Sequence, residues 1–178
     1  MKQRNRHAAP QDRRRASNWS GILAFALLGL AGYAQAATDV KTVDKVASVA
    51  TGYAESLGCA VTLDKHNVVP YSIGGNDLFI VLYSIDVGCS GGSAMSRPAL
   101  AALERNAYGN FYVRPEYSSP LSMPDQFPAS TDRLFLKDGR LRFAGRELGP
   151  NDALCCASVP VEGWVSFSGG QWIADKRN

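Results

Sequence analysis

Four cysteines are the residues of this 178-residue chain best equipped for chemistry: Cys59, Cys89 and the adjacent pair Cys155 and Cys156. A thiolate is a nucleophile or a soft metal ligand, and two thiols make a disulfide. A tetrahedral metal site needs four well-placed ligands, and beyond residue 36 the chain has a single histidine, His66. No metal is therefore expected. An even cysteine count in an exported chain reads as a disulfide framework, for which four cysteines allow three connectivities. Joining neighbours closes a strained ring and stiffens one turn. Tying Cys155 and Cys156 to Cys59 and Cys89 instead would clamp the C-terminal segment onto the middle of the chain, with each long loop contributing about 2–4 kcal/mol.

The other reactive side chains form no recognisable machinery. VGCSGGSAMSRP (87–98) is rich in glycine and serine. It lacks the Gly-x-Ser-x-Gly elbow of a serine hydrolase and the Gly-Lys-Ser/Thr ending of a phosphate loop, and it reads as a loop pinned by Cys89. His66, in LDKHNVVPY, reads as a solvated turn histidine. Asn76 opens no alternating set of oxygen ligands of the kind calcium needs. Of the acids Asp64, Asp77, Asp86, Glu104, Glu116, Asp125 and Asp152, only Asp86, ending an apolar run, stands in a distinctive context. No catalytic residue and no cofactor is expected. The competing reading is a hydrolase built on paired carboxylates such as Asp86 and Glu104.

Charge and hydropathy divide the chain near residue 36. MKQRNRHAAPQDRRRASNWS carries six basic residues against Asp12, GILAFALLGLAGY is apolar, and AQA follows. That order is the basic, apolar and cleavage region of a secretory signal over 1–36. The apolar run of about thirteen residues is short for a membrane span, which needs about twenty. The fit to a twin-arginine signal is poor, and no lipidation cysteine follows. Cleavage would leave one domain, 37–178. Removing six of 19 basic and one of 16 acidic residues leaves 13 against 15, a net charge of −2. Phosphate neutralisation thus loses its support, and no nucleic-acid partner is expected. The expected location is the periplasm or the exterior, with no stable membrane span after signal cleavage.

The elements that must position these residues are legible in part. In 37–58 apolar residues recur at three- and four-residue steps from Val40 to Leu57, predicting an amphipathic helix capped by Thr38 or Asp39 and stopped by Gly58. DLFIVLYSIDV (77–87) reads as a central strand buried on both faces. PALAALERN (98–106) and GNFYVRPEY (109–117) read as strands joined by a tight turn, and 118–131, with three prolines, as a loop. RLFLKDGRLRFAGREL (133–148) is a hairpin turning at Asp138–Gly139. GWVSFSGGQWIAD (163–175) is another, turning at Gly169–Gly170, with Trp164 and Trp172 placed to face each other. The expected fold is α+β: an N-terminal helix packed on an antiparallel sheet of about five to seven strands, stabilised by disulfides.

Arginines and aromatic residues concentrate on this sheet. Arg114, Arg140 and Arg142, with Trp164 and Trp172, are the candidate binding residues, since arginine and tryptophan are favoured at interface centres. Arg133 and Arg146 extend the basic face.

FIVLYSIDVG, the following CSGGS, and GPNDALCCAS before VEGWVSFSGGQW occur in an order that resembles exported bacterial domains of the LppP/LprE-lipoprotein type. The resemblance spans roughly 74–174 and is most specific over Gly149–Ser158. Ala157 stands where that pattern has proline, and the chain adds Cys59 and Cys89. The resemblance implies a vicinal Cys155–Cys156 bridge and a Cys59–Cys89 bridge, and it brings no catalytic residues. The function expected is that of a non-enzymatic exported protein binding a protein or envelope component, as an inhibitor or immunity-type protein would. The loops 88–97, 118–131 and 149–160 would carry recognition.

Overall fold

A computed structural model describes residues 38–91, 95–119 and 127–177. The expected signal segment 1–36 lies outside the described residues, as do parts of the 88–97 and 118–131 loops. Among the described residues, one α-helix and nine strands make the expected α+β fold, arranged in three layers. The helix α1 (Val40–Glu55) starts where Asp39 caps it: the carboxylate accepts the Thr42 N–H at 2.9 Å and the Thr42 hydroxyl at 2.7 Å. Val46, Ala47, Ala50 and Ala54 form its buried stripe. Three of these four are alanines, so the helix axis lies close to the sheet it covers.

The first sheet holds β1 (Cys59–Thr62), β2 (Val68–Ile73), β3 (Asn76–Asp86), β4 (Arg97–Arg105) and β5 (Phe111–Val113), all antiparallel. β3 is its centre. β4 runs along one edge of β3, while β2 and β1 share the other, β2 beside residues 76–81 and β1 beside 84–86. Side chains alternate across a strand, and β3 uses both faces. Val81, Tyr83 and Ile85 pack beneath α1, with Ala99, Ala101 and Leu103 of β4. Leu78, Ile80 and Leu82 point the other way, with Leu100 and Ala102.

That second face is covered by another sheet: the meander β6 (Ser130–Lys137), β7 (Arg140–Glu147), β8 (Val159–Ser168) and β9 (Gln171–Arg177). Leu134, Leu141, Phe143, Val161, Val165, Trp172 and Ala174 meet the first sheet there. The single sheet of five to seven strands expected from sequence is therefore two sheets, of five and four strands. The division follows from the pattern, since β3 and β4 are apolar on both faces and need two covers, and one helix supplies only one.

Two-residue turns fix the hairpins. Asp138 and Gly139 both have positive φ (54° and 69°), as do Gly169 and Gly170 (60° and 81°), the backbone that matches strand twist. At Gly163 the requirement is space. A Cβ there would stand 2.5 Å from Phe143 Cζ and closer still to the Asp175 carbonyl oxygen. The expected strand 109–117 is cut to three residues: Pro115, without an N–H, opens a 3₁₀ turn over Pro115–Tyr117. Two disulfides brace the unit. Cys59–Cys89 links β1 to the turn after β3 with Cα atoms 5.1 Å apart, and Cys155–Cys156 is vicinal. This is the pairing implied by the resemblance.

Candidate functional site

The five side chains expected to make a binding face separate into three places. Arg140, Arg142 and Trp164 come together on the outer face of the second sheet, which no layer of the described residues covers. Register puts Phe135, Arg142, Trp164 and Asp175 in one row across β6, β7, β8 and β9. The Arg142 guanidinium lies 4.4 Å from the Trp164 ring centroid and 5.9 Å from that of Phe135. Arg140 lies 4.9 Å from the same indole, and Arg133 5.1 Å from Phe135. Arg142 pairs with Glu162 at 3.1 Å. The result is an alternating lattice of guanidinium and aromatic groups on a twisted sheet.

Trp172 is not part of it. The Gly169–Gly170 turn pairs Phe167 with Trp172 and Trp164 with Asp175. Trp164 and Trp172 therefore have opposite parity across the hairpin and point to opposite faces, correcting the expectation that they meet. Trp172 is 1% exposed, stacked edge-on to Phe167, with its indole N–H donating to the Tyr117 carbonyl at 2.7 Å. It is a core residue that ties the β5–β6 connection to the second sheet. Arg114 lies just after β5 of the first sheet. Its guanidinium is bonded to Glu104 and, at 2.7 Å, to Glu116, and it stacks 5.2 Å over Tyr117. The two carboxylates neutralise Arg114 locally, and the hydrogen bond from the Arg114 guanidinium holds the Glu116 carboxyl below its usual range.

Sequence reading also placed recognition in three loops, and the described parts of these loops converge. A cleft of about 1050 Å³ opens at the end of the two sheets where β3 finishes and β4 begins. It is lined by Gly88, Met95 and Ser96 of the first loop, Phe127 to Ser130 of the second, and Leu154, Cys155 and Ala157 of the third. Four large hydrophobic residues that are exposed in spite of their size stand around it: Val87 (40%), Met95 (44%), Leu148 (40%) and Leu154 (75%). Its inner wall is polar. The alternation that sends Leu82 to the second sheet carries Ser84 and Asp86 into the cleft, and Ser84 and Ser96 share a 2.6 Å hydroxyl contact.

The third loop is held in shape by Asp152. Its carboxylate accepts the Gly149 N–H at 2.7 Å, the Ser158 N–H at 2.8 Å and the Ser158 hydroxyl at 3.0 Å. These bonds, first that from Gly149, keep the carboxyl below its ordinary range. One side chain thus closes the segment Gly149–Ser158, with the vicinal disulfide at its tip and Cys155 turned to the cleft.

The acids do not gather as a hydrolytic pair. Glu104 lies beside Leu78, eight residues along β3 from Asp86, which is about 26 Å at strand rise. Two carboxylates acting on one glycosidic bond stand no more than about 9.5 Å apart. Asp64 and Asp132 line the cleft, and each has a local task. Asp64 caps the 3₁₀ turn Lys65–Asn67 through the His66 N–H, and Asp132 is paired with Arg146 at 3.1 Å. Among the described residues, no three His, Cys, Asp or Glu side chains are grouped to hold a metal, and no helix is long and apolar enough to cross a membrane. The chain matches no protein-family model, no curated protein and no solved structure.

Proposed function

We propose that this chain is an exported, non-enzymatic binding protein that acts in the periplasm or outside the cell, and that its partner is a protein or envelope component engaged as an inhibitor or immunity-type protein engages its target. The carrying observation is the convergence of three loops from different parts of the chain on one cleft with exposed apolar residues around its mouth. Apolar side chains of that size left in water in one place mark surfaces that are covered by something else. The scaffold beneath is rigid. A disulfide anchors the turn after β3, and the vicinal disulfide and Asp152 stiffen the turn carrying Leu154. A stiff surface loses little entropy on binding. Two disulfides also suit an oxidising compartment. Kinship with the LppP/LprE-type exported domains belongs to the same proposal and rests on Gly149–Ser158. The carboxylate hydrolase has no comparable support, since its proposed acids lie at opposite ends of β3.

The test is site-specific cross-linking in the native cell. A photoreactive residue at Leu154 should capture one discrete partner, and the same residue at Tyr108, 90% exposed at the opposite end of the first sheet, should not. Leu154→Arg in an otherwise identical chain should weaken the competing unlabelled protein at least about tenfold, the loss expected when a charge enters an apolar contact. Equal capture from both positions, or none from Leu154, contradicts the proposal.

A further inference from the structure

One atom in the cleft lacks what its position demands. Asp86 is 2% exposed. Its Oδ2 accepts the Gly91 N–H at 2.8 Å, while Oδ1 has no hydrogen-bond partner. A buried acceptor without a donor is costly, more so when it belongs to a carboxylate. Native proteins satisfy nearly all such atoms, so an orphan in the wall of an open cleft points to a donor that arrives from outside.

The surroundings say what kind of donor. Three acids line the cleft, Asp64, Asp86 and Asp132, against one base, Arg97. Arg97 starts from the helix side of the sheet, opposite Ile85 in the register, and its side chain reaches round to line the cleft, but it makes no hydrogen bond to Asp86 Oδ1. Asp132 already has Arg146, and Asp64 is engaged by His66. The unmet demand is that of Asp86 Oδ1, and acidic side chains outnumber basic ones three to one among the described lining residues. Val87, Met95, Leu148 and Leu154 line the same cleft and are exposed. A buried carboxylate and exposed apolar side chains in one cleft complement a cation on an alkyl stem. The stem covers the apolar residues while the head reaches the acceptor.

Building on the binding reading above, we infer that the cleft receives a lysine or arginine side chain presented by the partner protein, its cationic head donating to Asp86 Oδ1. A charge-assisted bond in a site shielded from water is among the stronger polar contacts, and the neutral analogue of such a ligand would leave Asp86 as unpartnered as before.

The experiment uses the oxidised chain, labelled for amide NMR, with three probes: the blocked peptide acetyl-Gly-Arg-Gly-amide, its citrulline counterpart, and n-butylguanidinium. The Gly91 amide, which donates to Asp86, should shift saturably with the arginine peptide. The citrulline peptide should bind about tenfold more weakly, as expected for the loss of one charge-assisted bond. Asp86→Asn keeps an acceptor for Gly91 and should erase the difference between the two peptides. Leu154→Lys alters a residue 75% exposed, so the fold is left alone, and it should weaken the arginine peptide selectively. Equal binding of both peptides, or discrimination that persists in Asp86→Asn, overturns the inference. Butylguanidinium binding as tightly as the peptide overturns the assignment to a protein side chain in favour of a free cation. Cross-linking from Leu154 separates the two readings. A partner captured there while the peptides bind alike leaves the binding function standing and removes the cation. Discrimination without a captured partner does the reverse.

Discussion

Asn67, from the turn before β2, completes the free edge of β6: its Oδ1 accepts the Leu134 N–H at 2.9 Å, and its Nδ2 donates to the Asp132 carbonyl at 3.3 Å. β6 pairs with β7 on one side only, so its outer N–H groups need partners once buried. Asn67 is 6% exposed and sits where the two sheets meet. Replacing it by alanine leaves the Leu134 N–H buried and alone. The expected loss is about 2–3 kcal/mol, one unsatisfied donor plus a forfeited bond. It should be read as a lower urea midpoint at unchanged slope. A change under about 0.5 kcal/mol would mean that water replaces the amide at that edge.

The two disulfides differ in what they close, and so in what their removal costs. Cys59–Cys89 spans 30 residues, for which loop-closure entropy gives about 3–4 kcal/mol. Cys155–Cys156 spans one, and restricts the unfolded chain hardly at all. Cys59→Ser with Cys89→Ser should lower global stability by about that amount and loosen residues 76–172 to protease. Cys155→Ser with Cys156→Ser should leave the urea midpoint close to wild type while speeding amide exchange within 149–158. Equal global losses from the two double variants would show that the vicinal turn contributes to the core.

Acid should undo the third loop before it undoes the fold. The Asp152 carboxyl is held down by the bonds it accepts from Gly149 and Ser158. A depressed folded-state value means that its stabilisation is complete above the ordinary carboxylate range. It is lost as pH falls through the folded value, because protonation removes the acceptor. Amides of Gly149 and Ser158 should therefore lose protection at low pH while those of β3 and β4 keep theirs. Asp152→Asn, which carries no titrating group, should show weak protection of the same amides at every pH. Protection that follows pH in the asparagine variant as well would assign the effect to another acid.

Much of this architecture can be read from local pattern, and the losses have particular causes. The helix, β3, β4 and the hairpins at Asp138–Gly139 and Gly169–Gly170 follow from periodicity and turn residues, because each is decided within its own segment. β2 escapes because Pro70 interrupts VVPYSI (68–73). It is tolerated there only because β2 is an edge, pairing with β3 alone. The Gly74–Gly75 turn, with φ of 58° and 84°, was the available sign of the β2–β3 hairpin. The division into two sheets is invisible locally, since it depends on what covers the far face of β3. The outer lattice of Arg140, Arg142 and Trp164 is legible from alternation. The place of Trp172 in the core needs the hairpin register as well, since the parity of Trp164 and Trp172 depends on counting through the turn. The cleft joins residues as far apart in the chain as Thr62 and Ala157. Its loops were suggested by composition, while the orphan oxygen of Asp86 exists only once they are folded together.

On the outer sheet, two interactions compete to explain Arg142, and magnitudes decide between them. Its ion pair with Glu162 is to a side chain 58% exposed, and such pairs contribute between zero and about 1 kcal/mol, less in salt. Its stacking is better shielded: the Arg142 side chain is 11% exposed between Trp164 and Phe135, and desolvated cation–π contacts reach about 2 kcal/mol. The Nε of Arg142 has no hydrogen-bond partner, consistent with a guanidinium placed for its plane. Glu162→Gln should therefore change stability by less than about 0.5 kcal/mol. Arg142→Lys retains the charge but loses the planar face, and should cost about 1–2 kcal/mol with little dependence on salt. A double-mutant cycle of Arg142→Lys with Trp164→Leu should return a coupling of about 0.5–2 kcal/mol. If the Glu162 variant proves the costlier and its cost vanishes in high salt, the ion pair orders this face, and the aromatic rings merely border it.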